Sequence, residues 1–194
     1  MIDALSKLEY RGYDSAGIAV FDGGEIKVAK SKGRLKDLVD KMNNTEKPGG
    51  HAGIGHTRWA THGEPSDVNS HPHSGKRVTI VHNGIIENYK ALKDFLIASG
   101  REFQSETDTE VVAQLLDYYY EGNPLDTIIK TMNELEGSFA LGIVFSDFKD
   151  TVYAVRRESP LIVGVGEGES FIASDVPAIL KYTKDYYLSL IHIS

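Results

Sequence analysis

Apolar positions recur along this chain with two periods, and the switches between them mark out helices and strands. Ile2, Leu5 and Leu8 fall at helical spacing, and Gly12 is placed to close that helix in the left-handed conformation. Residues 17–21 are a short apolar run, Asp22-Gly23-Gly24 is a turn, and residues 25–30 alternate polar with apolar, which predicts a β-hairpin. Leu35, Leu38, Val39 and Met42 mark one face of a helix that ends before Pro48-Gly49-Gly50. Residues 52–55 are small and apolar, as in a buried strand. Val78-Thr79-Ile80-Val81 is a second strand, running into His82-Asn83-Gly84, and residues 85–97 then fit a helix through Tyr89, Leu92, Phe95 and Leu96, stopped by Gly100.

Thr107 or Asp108 can cap the next helix, whose face is Val111, Val112, Leu115, Leu116 and Tyr119. Asn123-Pro124 is a capped start with proline at the first helical position, and Leu125, Ile128, Ile129, Met132 and Leu135 follow. Residues 139–145, 151–156, 161–165 and 170–173 are strand-like, and Asp175-Val176-Pro177 opens a short helix. Hairpins at both ends with helices segregated between them predict an α+β fold rather than alternating βαβ units.

Composition narrows the function classes. The 194 residues suit one domain, and 41% hydrophobic with 25% charged residues is ordinary globular usage. A formal net charge of -7 gives no electrostatic support to a nucleic-acid or anionic-membrane partner. No apolar run approaches the ~20 residues of a bilayer span, and no secretory leader is expected, so the expected address is cytoplasmic. There is no cysteine, which removes disulfides, thiolate metal sites and a cysteine nucleophile from these residues.

Candidate chemistry concentrates in His56-Thr57-Arg58-Trp59-Ala60-Thr61-His62-Gly63, which holds two histidines, an arginine and the only tryptophan. Arg58 offers a planar fork that matches a carboxylate, or else makes a plain surface ion pair. Asp108 could hold an ammonium group or simply cap a helix; with Arg58 it would hold both ends of a free α-amino acid. The Asn83 amide and the Gly84 N–H could aim at one developing oxyanion, or mark a tight strand-to-helix turn. Six of the seven histidines fall between His51 and His82. A metal hydrolase using His71 and His73, completed by His56, His62 or Asp67, is therefore an alternative, though no HExxH motif supports it. No cofactor is implied.

Residues 8–17, 55–66, 69–73, 81–88, 105–110 and 171–175 together resemble the glutaminase domain of the glutamine–fructose-6-phosphate aminotransferase family, the glucosamine-6-phosphate synthases. Related glutamine amidotransferases of purine, asparagine and glutamate synthesis vary the 58–63 loop, and the spelling here is similar to the hexosamine branch. The resemblance covers residues 1–187, leaving 188–194 as a tail outside it.

That likeness implies an N-terminal-nucleophile hydrolase fold, a four-layer αββα sandwich of two antiparallel sheets. It implies that Arg58, helped by Thr61 and His62, binds the glutamine carboxylate and that Asp108 receives the α-amino group. Asn83 and Gly84 would form the oxyanion hole, Trp59 would gate ammonia transfer, Arg11 would lie in the active-site wall, and His71 would orient the mobile loop. It further implies fructose 6-phosphate as acceptor in a separate isomerase domain, and a homo-oligomeric parent. The family nucleophile is a cysteine on a first strand. The chain opens instead in the following helix, so the expectation is a polypeptide without that first strand, unable to hydrolyse glutamine alone. A catalytically dead glutamine-binding or regulatory module is the second functional class.

Overall fold

The computed structural model describes residues 1–45, 47–60 and 63–188. Its first sheet is antiparallel, in the order β2–β1–β3, with β1 (Ser15–Asp22) flanked by β2 (Glu25–Lys32) and β3 (Gly53–Arg58). The predicted hairpin is present and turns at Gly23-Gly24. The second sheet runs β4 (His73–Ser74), β5 (Val78–Ile86), β6 (Gly137–Phe145) and β7 (Tyr153–Arg157), every pair antiparallel.

Alternation along β1 stacks these sheets. Ala16, Ile18 and Val20 pack outward on Leu35, Leu38 and Met42 of α2 (Leu35–Asn43), with Leu5 of α1 (Ile2–Ser6). The intervening Ala19 and Phe21 face inward on Ile54 of β3 and Val144 of β6. On the far side of the second sheet, Ile80, Phe139, Leu141, Ile143 and Phe145 meet α3 (Tyr89–Ala98), α4 (Asp108–Tyr119) and α5 (Pro124–Glu134). The result is four layers, helix–sheet–sheet–helix. Each fully buried large apolar side chain contributes about 1.5–3 kcal/mol, so the largest core, between the second sheet and α3–α5, holds the site's rear wall firmly.

A smaller antiparallel sheet, β10–β8–β9, adds to the two-sheet sandwich the sequence predicts; it comprises β8 (Ile162–Val165), β9 (Ser170–Ala173) and β10 (Tyr186–Leu188). Leu188 pairs with Ile162, and residues 189–194 lie outside the described part. No helix among the described residues is long and apolar enough to cross a membrane.

Several local expectations need correcting. Gly12 is extended (φ -172°, ψ 129°), not left-handed: α1 stops at Ser6, a 3-10 turn follows at Glu9–Arg11, and a Cβ on Gly12 would lie 2.7 Å from the Thr57 carbonyl oxygen. Glycine is needed there for close approach to β3. β3 runs to Arg58, so His56 and Arg58 are strand residues rather than loop residues. β5 continues to Ile86 and α3 starts only at Tyr89, because residues 82–86 pair with 137–141 of β6. On α5, Ile128 and Thr131 are buried while Leu125 and Ile129 face solvent, so the buried face is rotated from the predicted one.

Candidate functional site

Alternation also decides where the polar residues go. Ile54, His56 and Arg58 share one face of β3, the face turned to the second sheet. Asn83 of β5 faces back toward them, and His82 faces the helices. A cavity of about 1260 Å³ opens between these elements, lined also by α1 and β9. Seven predicted site residues line it: Arg11, Arg58, Trp59, His71, Asn83, Gly84 and Asp108. The other two, Thr61 and His62, lie outside the described residues.

Arg58 is only 4% exposed. Its Nη2 donates to the Gly63 carbonyl at 3.0 Å, and its Nη1 lies 3.8 Å from Asp14 Oδ1. Loss of hydration lowers its pKa, opposed by the charges of Asp14 and Asp108; a guanidinium nevertheless stays cationic. The Asp14 carboxylate also accepts from the Ala60 N–H and so ties the loop after β3 to the start of β1.

Asp108 is the first residue of α4 and is also 4% exposed. The cap is Thr107, whose hydroxyl accepts from the Glu110 N–H. Asp108 Oδ2 instead accepts from the Ile86 N–H at 3.0 Å, which fixes the carboxylate against the end of β5. A helix N-terminus favours that negative charge. Arg58 and Asp108 thus supply a fixed cation and a fixed anion to one cavity.

Asn83 and Gly84 are not in a strand-to-helix turn. They sit within β5, opposite Ala140 and Phe139 of β6. Gly84 adopts φ +121°, and a Cβ there would lie 2.0 Å from the Ser138 carbonyl oxygen. Only glycine satisfies both conditions.

The histidines form a connected cluster beside Asn83. His56 Nε2 lies 2.9 Å from Asn83 Oδ1, and His71 bridges His56 to Thr109 of α4. Burial lowers all three resolved rings: His56 to about 4, His73 to about 3, and His71 well below its ordinary value. In each the leading cause is lost hydration, and neighbouring positive or imidazole groups add to it. These rings are neutral near pH 7. Asp67, a candidate metal ligand from the sequence, bonds Lys41 and the Lys32 N–H instead. Among the described residues no group of three or more His, Cys, Asp or Glu is placed to hold a metal ion.

Trp59 is 60% exposed and meets Tyr13 edge-on at 5.6 Å between ring centroids. Arg11 pairs with Asp175 at 3.7 Å and donates to the Ser174 carbonyl, linking the first helical segment to the chain after β9. From the sequence His56 is a candidate only as a metal ligand, and Asp14 and Thr109 are not candidates. Asp14 stands three residues before the strand predicted at 17–21 and directly before β1 as observed; the roles of His56 and Thr109 depend on partners far along the chain.

Comparison with known proteins gives these positions a family. The model of the "Glutamine amidotransferase domain" family matches residues 56–181. A glutamine–fructose-6-phosphate aminotransferase (isomerizing) of Clostridium acetobutylicum is 60% identical over 190 residues, covering 96% of this chain and 31% of that protein. The enzyme of the same description from Aquifex aeolicus is 49% identical over 186 residues, covering 95% of this chain and again 31% of that protein. The chain therefore spans about a third of the length of the curated relatives it matches. Among solved structures, the glutamine phosphoribosylpyrophosphate amidotransferase of B. subtilis superposes with a TM-score of 0.78 at 28% identity, over 94% of this chain and 40% of that one. The fold is thus that of the N-terminal-nucleophile amidotransferases, and this chain belongs to the glutamine amidotransferase domain family.

Proposed function

We propose that this chain is the glutamine-binding and amide-activating part of a cytoplasmic enzyme that makes glucosamine 6-phosphate from fructose 6-phosphate and L-glutamine. Its high identity to glutamine–fructose-6-phosphate aminotransferases along nearly its whole length supports the hexosamine reading. One observation carries the site assignment: Arg58, Asp108, Asn83 and Gly84 line a single cavity. In it the Arg58 fork holds the α-carboxylate and the Asp108 carboxylate takes the α-ammonium. The side-chain amide then extends toward Asn83. Thr61 and His62 assist the carboxylate, Trp59 covers the site and Arg11 closes its wall.

For the amide bond to break, a nucleophile adds to the γ-carbonyl carbon and the C=O electron pair moves to oxygen. Asn83 Nδ2–H and the Gly84 N–H donate to that oxyanion, a contribution of about 2.7–4 kcal/mol per donor in comparable sites. The proton given up by the attacking thiol passes to the amide nitrogen, collapse re-forms C=O as the C–N bond breaks and ammonia leaves, and water then hydrolyses the resulting thioester to glutamate. The 194 residues contain no cysteine, so a thiolate nucleophile, as the resemblance implies, would have to come from outside them. It would enter along the cavity bordered by β3 and β9. Ammonia would pass to an isomerase domain that holds fructose 6-phosphate.

Calorimetric titration of the purified chain with L-glutamine tests the pocket, with Arg58→Ala alongside. The expected result is saturable binding that Arg58→Ala weakens at least tenfold, about 1.4 kcal/mol. Equal affinity of the two proteins, or no binding by the folded chain, would overturn the assignment.

A further inference from the structure

Five side chains run from the cavity to the flank of α4 as one unbroken hydrogen-bonded series. His56 Nε2 lies 2.9 Å from Asn83 Oδ1, and His56 Nδ1 lies 2.9 Å from His71 Nδ1. His71 Nε2 is 2.8 Å from Thr109 Oγ1, which is 3.0 Å from His82 Nδ1. Both nitrogens of His56 and of His71 are engaged. A neutral imidazole must then donate at one nitrogen and accept at the other.

The proton count couples the donors along the series. An amide Oδ1 only accepts, so His56 carries its proton on Nε2 and presents a bare Nδ1. His71 therefore donates from Nδ1 and presents a bare Nε2, which takes the single proton of the Thr109 hydroxyl. Thr109 Oγ1, its proton so used, accepts from His82 Nδ1–H. Turning the Asn83 amide over reverses the donors of His56 and His71; Thr109 Oγ1, with two lone pairs, then accepts from His71 and need not donate to either ring. Between Asn83 and His71 no partial reversal is possible without placing two protons, or two lone pairs, face to face at 2.9 Å.

We propose that this series is a polarity lock: His56, His71 and Thr109 are positioning residues that hold the Asn83 amide with its carbonyl inward and its NH₂ toward the cavity. The inference rests on Asn83 facing the glutamine amide, as argued above, and explains why it presents two donors there rather than a carbonyl that would repel a developing oxyanion. Edge-on contact of the His56 and His71 rings, 4.2 Å between centroids, and burial of His71 and Thr109 keep the series in register. Burial also keeps the rings neutral, the condition on which the count depends.

The test is long-range ¹H–¹⁵N spectroscopy of the ¹⁵N-histidine-labelled full chain near pH 7, without ligand. Single tautomers are expected: Nε2–H for His56, Nδ1–H for His71 and Nδ1–H for His82. Thr109→Val, which keeps the shape and removes the hydroxyl, should turn His71 and then His56 into tautomer mixtures. Thr109→Ser should restore them. Reversed or mixed tautomers in the native chain overturn the proposal. So does a His56 tautomer unmoved by Thr109→Val while backbone amide shifts elsewhere are native. If Thr109→Val does not fold, the native-chain tautomers alone decide. These spectra do not depend on glutamine. Failure of glutamine to bind a chain with the expected tautomers would refute the functional reading alone, and mixed tautomers in a chain that binds glutamine would refute the lock alone.

Discussion

Gly84→Ala isolates the constraint that fixes the proposed oxyanion strand. At φ +121° an L-residue is strained by about 1–3 kcal/mol. The added Cβ would also sit 2.0 Å from the Ser138 carbonyl oxygen and 2.9 Å from Phe139 Cα, both backbone atoms of β6. Backbone cannot swing aside as a side chain can, so β5 and β6 must part locally. Loss of one or two ladder hydrogen bonds adds roughly 1 kcal/mol each. The sum is about 2–5 kcal/mol, a large part of the 5–15 kcal/mol typical of a domain. With a urea slope of about 1–3 kcal/mol/M, the unfolding midpoint should fall by about 1–2 M. Gly100→Ala is the control: its φ is +81° but nothing lies within 4 Å of a Cβ, so it should lose only the conformational part, about 1 kcal/mol. Urea titration followed by far-UV circular dichroism reads both. A Gly84→Ala midpoint no lower than that of Gly100→Ala would refute the argument from the β6 contact.

Two further outcomes follow from the same geometry. The buried His71 and His73 and the partly enclosed His56 bind protons more readily in the unfolded chain, so stability is fully present above about pH 6.5 and is lost as pH falls toward the folded values of about 4 for His56 and about 3 for His73. At pH 5 each fully buried ring should give up about 2 kcal/mol relative to pH 7, and partly enclosed His56 less; urea midpoints equal at the two pH values would contradict this. Asp14→Asn keeps the acceptor for Ala60 but removes the charge beside Arg58, so glutamine affinity should drop by roughly tenfold in calorimetry, and an unchanged affinity would show that Arg58 is held by other means.

What could be read from the sequence divides by the range of the interactions involved. The hairpin at Gly23-Gly24 and the Asn123 cap on α5 are set by residues within a few positions of each other, and both stand where the pattern places them. Arg58 and Asp108 are candidates by side-chain type alone, and the structure buries both on one cavity. Where pairing partners are distant, the pattern misleads. Residues 82–86 look like the end of a strand because Asn83-Gly84 is a turn signal, yet β6, more than fifty residues on, extends the ladder through them.

His56 and Thr109 show the same limit at the site. Nothing local to either residue gives its place beside Asn83 and His71, which comes only when β3 and α4 converge on His71. Their place in the fold is nonetheless strict. His56 alternates with Ile54 and Arg58 on β3, so a one-residue slip of that strand against β1 would turn both His56 and Arg58 away from the second sheet. The inward packing of Ile54 on Ala19 and Phe21 therefore sets, in one register, the core, the buried Arg58 cation and the ring that touches Asn83.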